Sequence, residues 1–235
     1  MYIHSYDQDN ITQDFVKKYH IDKVLPTGWG DIYEPISYCM DISIKNNDYK
    51  LVLLSESTIP TKPFNYIYDY LTKDDKGYLN YNMTNKLVVT MQTNRYKNNC
   101  KNIKDFEKTI DFSYWYYNET WITFNKEMME IIIEDITNSN YYDYFKKAFA
   151  HDENYPIYLY SLYDKLDLFH NSNITYVNWN TQEVDGIKHP KSYDTIDERL
   201  FKTLSNPNIL FARKFTDDIN IYNKLVNTVK NLKIK

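Results

Sequence analysis

Long apolar runs are missing from this chain. No stretch approaches the roughly 18 apolar residues that a membrane-spanning helix needs. The first ten residues, Met1 to Asn10, are polar and acidic and lack the apolar core of a signal peptide. The sequence therefore predicts no membrane span and a cytoplasmic location. Basic charge is not in excess either: the formal net charge is −4. That argues against a nucleic-acid partner, which would call for a concentrated basic face. Cysteine is scarce, with only Cys39 and Cys100. Two such residues make no disulfide framework, and free, buried thiols are expected. Glycine is rarer than usual, at 4 residues, and neither a P-loop, a G-x-G-x-x-G nor a G-x-S-x-G pattern occurs. His4, His20, His170 and His189 show no metal-ligand spacing.

What remains is an ordinary globular composition. The 235 residues are 43% hydrophobic and 26% charged, enough for a sizeable core. No internal repeat or long linker interrupts them, so a single domain over 1–235 is expected. Tyrosine is the exception, at 25 residues. Codons for Asn, Ile, Lys and Tyr are AT-rich, so genome bias is the simpler explanation. A Tyr-rich surface for stacking on sugars is the sharper one. The sequons at Asn10, Asn82, Asn118 and Asn173 are expected by chance in so Asn-rich a chain.

The hydrophobic pattern alternates between strand and helix. Tyr2-Ile3-His4 is a short strand candidate, and residues 11–19 suit a helix. Ile32, Ile36, Cys39 and Met40 recur at the spacing of a buried helical stripe within 31–46. Leu51 to Leu54 is a continuous apolar run, as in a strand buried on both faces of a parallel sheet. Phe64, Ile67, Tyr68 and Leu71 mark the next helix. Residues 73–85 read as loop, Leu87 to Met91 as strand, and 94–112 as a polar irregular segment with a short helix. Trp121 to Phe124 reads as strand, and Met128, Met129, Ile132 and Ile133 fall on a helix. Tyr141 to Ala150 reads as helix, Ile174 to Trp179 and Ile209 to Phe215 as strands, with a last helix from about 217. Strand–helix–strand order predicts an α/β fold with right-handed crossovers and a mostly parallel central sheet flanked by helices.

Three polar groupings carry chemistry on residue type alone. Asp152-Glu153 sits where a new helix begins, so Asp152 is expected to cap it, with Pro156 in its first turn. Glu153 at that position is able to accept a proton from an attacking hydroxyl. An ordinary acidic first turn, favoured by the helix dipole, is the simpler reading of the spacing. Arg213-Lys214 puts two cations at the end of an apolar strand, fit to stabilise charge on a departing diphosphate. Strand alternation sends the two to opposite faces, and a solvated strand end fits equally. Asp7-Gln8-Asp9 has the D-x-D spacing used by many nucleotide-sugar enzymes to hold a divalent cation, yet a solvated turn is the simpler reading.

Taken in order, several segments resemble the core-2/I-branching N-acetylglucosaminyltransferase family and its plant-type and xylosyltransferase relatives. Tyr2-Ile3-His4-Ser5 resembles Y-I-H-[SP], and Trp29-Gly30 the W-G step before a long helix. The most specific match is LVLLSESTIPTKPFNYIYDYL, residues 51–71, against F-V-L-L-S-E-S-C-I-P…F…I-Y-x-Y-L. Asn94-Arg95-Tyr96 is similar to the R-Y before an acceptor-side loop, and Asn118 to Trp121 to G-S-Q-W. Asp152-Glu153-Asn154-Tyr155 is similar to D-E-H-Y. Thr175 to Trp179 with His189-Pro190 resembles T-Y-V-D-W…H-P, and Leu210 to Phe215 resembles L-F-A-R-K-F.

The resemblance implies a GT-A-like nucleotide-sugar-binding fold and inverting sugar transfer from a UDP donor, with N-acetylglucosamine the expected sugar. It implies no metal and no other cofactor, and a glycan or glycoprotein acceptor. Glu153 matches the catalytic base. His4, Ser5 and Gly30 match the nucleotide-sugar-contacting region, joined by Lys191, Arg213 and Lys214, with Lys214 neutralising the diphosphate. Arg95 and Trp179 match the acceptor side. Two departures go with it. The sequence starts just before Y-I-H, where relatives carry a further strand and helix, so that first unit is expected to be missing. An open sheet edge would then favour homo-oligomers, and a non-catalytic carbohydrate-binding or structural remnant becomes the alternative function. The glycine-rich stretch before R-Y is absent as well. A Golgi location is not carried over.

Overall fold

The computed structural model describes residues 1–5, 14–82, 108–138, 140–148, 150–181, 183–184 and 187–216. The expected strand at 87–91, the final helix, Cys100, Arg95, Asp7 and Asp9 lie outside them. Within the described residues the chain is mixed α/β, with helices and small mixed sheets. It divides into two compact units. The first holds 1–51, 81–120 and 124–169; the second holds 52–80, 121–123 and 170–235.

The first unit is built on helices. α1 spans Asp14–Tyr19 and α2 Tyr33–Lys45; α3, Phe64–Thr72, belongs to the second unit. α4 spans Lys126–Asn138, α5 Tyr142–Phe145 and α6 Tyr155–Leu162. α4 packs against both α2 and α6. The predicted stripes account for this: Ile36 and Met40 of α2, and Met128, Met129 and Ile132 of α4, are buried. Helix α6 is apolar nearly all round, with Tyr155 through Tyr160 buried, as a helix with protein on every side must be. Around it the rings close-pack. Trp115 stacks on Phe145 at 5.2 Å between centroids, and Phe145 meets Tyr158 at 5.0 Å. Asp135, buried in α4, accepts hydrogen bonds from the Tyr141 and Tyr142 amides and from Tyr155 Oη. These partners satisfy the first free amides of α5. The hairpin of β4 (Tyr81–Asn82) and β5 (Tyr117–Asn118) is antiparallel. Ile3 makes a parallel bridge to His20, so the Tyr2-Ile3-His4 strand is one bridge long.

The second unit has two small sheets. In one, β11 (Phe211–Arg213) lies between β2 (Ile59–Pro60), antiparallel, and β8 (Thr175–Val177), parallel. In the other, β3 (Gly77–Tyr78) pairs antiparallel with β6 (Thr123–Asn125) through Tyr78 and Thr123. Leu53, just past β1 (Lys50–Val52), donates to the Ile122 carbonyl, and Leu79 to the carbonyl of His170 in β7 (Phe169–His170). A two-stranded antiparallel ribbon, β9 (Glu183–Val184) with β10 (Ile187–Lys188), completes the strands among the described residues. Helix α7 (Glu198–Leu204) is capped by Asp197, whose side chain accepts from the Leu200 amide. Its Leu200 and Leu204 pack with Tyr193, Ala212 and Phe215. Ile67 and Leu71 of α3 pack with Tyr78, Ile174, Leu210 and Phe211.

Several expectations change here. Parallel pairing is seen for β8 and β11, while β2–β11 and β3–β6 run antiparallel. Leu51 to Leu54 is only partly covered, and Leu54 is 44% exposed. Among the described residues this run lacks the double burial of a central strand. Within the segment expected as loop, Gly77–Tyr78 form β3 and Tyr81–Asn82 form β4. The helix expected over 141–150 stops at Phe145, and Ala150 adopts a left-handed φ of 55° that no α-helix admits.

Candidate functional site

The turn that carries Glu153 is fixed from three sides within the first unit. Residues His151–Glu153 make one turn of 3₁₀ helix, and α6 starts two residues later with Asn154 at its N-cap position and Pro156 second. Asp152 therefore does not cap the helix, contrary to the sequence expectation. A carboxylate must sit at the N-cap position to reach the first free amides, and Asp152 lies too early. Its Oδ2 instead accepts from the Thr120 hydroxyl at 3.0 Å. Its carbonyl accepts from Asn118 Nδ2 at 3.0 Å, and Asn154 Nδ2 donates to the Tyr116 carbonyl. The amide of Asp152 faces the Gly30 carbonyl at 3.5 Å. Gly30 has φ +72, open to glycine with little cost. A Cβ added there would come within 2.8 Å of Ala150 Cβ.

Electrostatics in this turn follow from burial. Asp152 is 5% exposed. Burial first, and the neighbouring Glu153 second, push its carboxyl up to about 7. His151 is buried and its imidazole is pushed below the usual histidine value by loss of water, with the nearby Asp31 charge opposing this. Its Nε2 lies 3.6 Å from Asp31 Oδ1, beyond a good hydrogen bond, and the backbone at Ala148 is the other polar group that faces the ring. Tyr33 and Tyr142 flank the ring. Glu153 itself is partly exposed. It follows the buried Asp152 carboxyl on the turn that Thr120 and Asn118 hold.

The basic residues gather in the second unit. The amide of Lys191 donates to the Asn178 carbonyl at 2.8 Å, and the amide of Lys214 faces the Lys191 carbonyl at 3.4 Å. Tyr193 then donates to the Lys214 carbonyl at 2.9 Å, and Tyr193 and Phe215 form a parallel bridge. Backbone pairing thus sets Lys191 and Lys214 side by side, although they are distant in sequence. Lys191 is exposed, with Nζ 5.1 Å from the centre of the Tyr193 ring; Lys214 is partly exposed. Arg213 behaves differently. Its guanidinium lies 4.0 Å from the centre of the Trp121 ring, a cation–π geometry. Its Nε is buried and has no partner among the described residues. Burial pulls its pKa down, against the Glu56 charge. Next to this strand end, Ser57 accepts from the Phe215 amide, and the hydroxyls of Ser55, Ser57 and Thr58 form a short chain.

The remaining expected residues divide between the units. His4 accepts a hydrogen bond from the Leu25 amide at 3.1 Å and loses basicity mainly through burial. It thus serves the local backbone of the first unit, and Ser5 beside it is partly exposed. Trp179 is 41% exposed in the second unit, next to Asn178, whose Nδ2 donates to Tyr193 Oη. Arg95 lies outside the described residues. Sequence reasoning did not single out Trp121 as the partner of Arg213, nor Thr120 and Asn118 as the clamp on Asp152. The N-E-T-W block held all three, but only the fold reveals what each touches. Among the described residues no three His, Cys, Asp or Glu side chains gather as a metal site would need. No helix among them is long and apolar enough to cross a membrane.

Comparison with known proteins agrees with the ordered motifs. No curated protein matches the chain. The family model described as Core-2/I-Branching enzyme matches residues 3–205, a span that includes the Gly30, Glu153, Trp179 and Lys191 positions and stops short of Arg213 and Lys214. The match covers most of the 235 residues, and the chain belongs to the Core-2/I-branching enzyme family, a family of glycosyltransferases.

Proposed function

We propose that this glycosyltransferase has a GT-A-like fold and transfers N-acetylglucosamine from UDP-N-acetylglucosamine to a carbohydrate hydroxyl, with inversion and without a metal ion. In this reading Glu153 takes the proton from the acceptor hydroxyl. The freed oxygen forms a bond to the anomeric carbon on the face opposite the nucleotide. The bond from that carbon to the β-phosphate oxygen breaks, and UDP leaves with the electron pair. Lys214, with Lys191 or Arg213, offsets the charge that develops on the diphosphate. His4, Ser5 and Gly30 would contact the donor, and Arg95 and Trp179 the acceptor.

The observation that carries the reading is the backbone pairing of Lys191 with Lys214. It gives two ammonium groups a common origin at one strand end, as a leaving diphosphate needs in place of a metal. Calorimetry with UDP and UDP-N-acetylglucosamine, followed by turnover with and without chelator, is the test. Binding of both and chelator-insensitive transfer support it. Binding of neither would instead mark a non-catalytic member, and strict Mn²⁺ dependence would return attention to Asp7 and Asp9.

A further inference from the structure

Asp152 is a costly residue for its place. It is nearly buried, it caps no helix, and its Oδ1 has no hydrogen-bond partner among the described residues. A buried polar atom without a partner destabilises a fold, so an apolar or amide side chain would suit a purely structural turn better. Its other contacts all bear on the turn. Oδ2 is bound by Thr120, the carbonyl by Asn118, and the amide faces Gly30.

We propose that Asp152 is a positioning residue for Glu153, holding through the Thr120 hydroxyl the turn from which Glu153 works. This rests on the reading of Glu153 as general base. The ionisable groups facing Asp152 are Glu153 beside it, Asp31 ahead of α2, and Tyr33 at the start of α2. Both neighbouring carboxylates disfavour a second negative charge. Burial and these neighbours raise the Asp152 carboxyl to about 7, so it holds its proton below that pH and begins to lose it near neutrality.

The test uses the whole chain, with UDP release from UDP-N-acetylglucosamine in the presence of a mixed glycan acceptor as the assay. Thr120→Val should lower kcat roughly 10-fold or more through loss of orientation, with donor KM unchanged, and Thr120→Ser should restore it. Wild-type kcat should also fall along an alkaline limb near pH 7 that is missing in Asp152→Asn, whose amide keeps the neutral form. A Thr120→Val variant with wild-type kcat, or an Asp152→Asn variant that keeps the limb, overturns the proposal while Glu153→Gln stays inactive. Full turnover by Glu153→Gln removes the base reading first, and this role with it.

Unfolding by urea gives a readout independent of turnover. The folded-state pKa lies above the ordinary aspartate value of 3.8, at about 7. The proton is therefore held by the folded chain and lost from the unfolded one between those values, so stability falls as pH rises through that window. Asp152→Asn should flatten this slope. An unchanged slope would mean that Asp152 is not the buried carboxyl that the Thr120 clamp requires, and overturns the proposal.

Discussion

Ala150 occupies the space that a side chain at Gly30 would need. A Cβ at Gly30 would come within 2.8 Å of Ala150 Cβ and 3.0 Å of its amide nitrogen, and Gly30 already sits at φ +72. The W-G step and the turn bearing Glu153 are therefore packed backbone against backbone.

Gly30→Ala should accordingly destabilise the chain by on the order of 2–3 kcal/mol, from combined backbone strain and overpacking. Thermal unfolding measures this. A variant as stable as the wild type would show that the Ala150 turn yields easily.

Glu153→Gln should abolish transfer while leaving UDP affinity within about twofold, because the amide keeps the shape and loses only the base. Single-turnover assays with calorimetry separate the two effects. Weakened UDP binding with residual chemistry would point to a donor-side role instead.

Lys214→Ala should lower kcat by roughly 100-fold, the usual effect of removing one group that stabilises developing charge. Trp121→Leu tests the cation–π contact. It should free the Arg213 guanidinium and weaken UDP binding less than Lys214→Ala does. Equal losses in both variants would mean that Arg213 contributes as much to holding the diphosphate as Lys214 does.

Lys62 offers a pH test away from the site. It is 9% exposed, and Nζ donates to the carbonyls of Leu204 and Ile209. Burial pulls its pKa to about 8, below the ordinary 10.5. Between these values the unfolded chain binds more protons than the folded one, so this group makes stability rise with pH across that window. Lys62→Met should lose the rise, as urea midpoints at pH 7.5 and 10 would show.

Asp135→Ala should cost on the order of 3 kcal/mol, since it strands the buried Tyr142 amide, the partly buried Tyr141 amide and the Tyr155 hydroxyl. Asp135→Asn should recover part of this, because one amide oxygen remains as acceptor. Equilibrium unfolding distinguishes the pair.

Helices with a one-sided apolar stripe were legible in the sequence. The stripes of α2 and α4 bury Met40, Met128, Met129 and Ile132 as their spacing predicts. The stripe of α3 was read correctly as helix but is only half covered. Ile67 and Leu71 are buried, whereas Phe64 is 76% and Tyr68 57% exposed. Periodicity locates an apolar face and says nothing of how wide its cover will be. The two-residue strands β3 and β4 escaped notice because Gly77, Asn80 and Asn82 read as turn residues. Their pairing with Thr123 and Tyr117 depends on chain far away in sequence. The site was legible as a list of residues through the ordered motifs. Its clamps were not: Thr120 on Asp152, Trp121 on Arg213 and Lys191 beside Lys214 are contacts between distant segments, and no spacing rule encodes them.

The tyrosines of α6 have a wider consequence. Tyr155 donates to Asp135, Tyr160 to the Met128 carbonyl, and Tyr158 Oη receives the Asp111 amide. A leucine interior tolerates many arrangements of similar energy. A tyrosine interior does not, because each ring ends in an oxygen that must find one particular partner. Any rival arrangement that satisfies shape but misplaces a hydroxyl is penalised twice, and the surviving arrangement is singled out by polar tips rather than by volume alone.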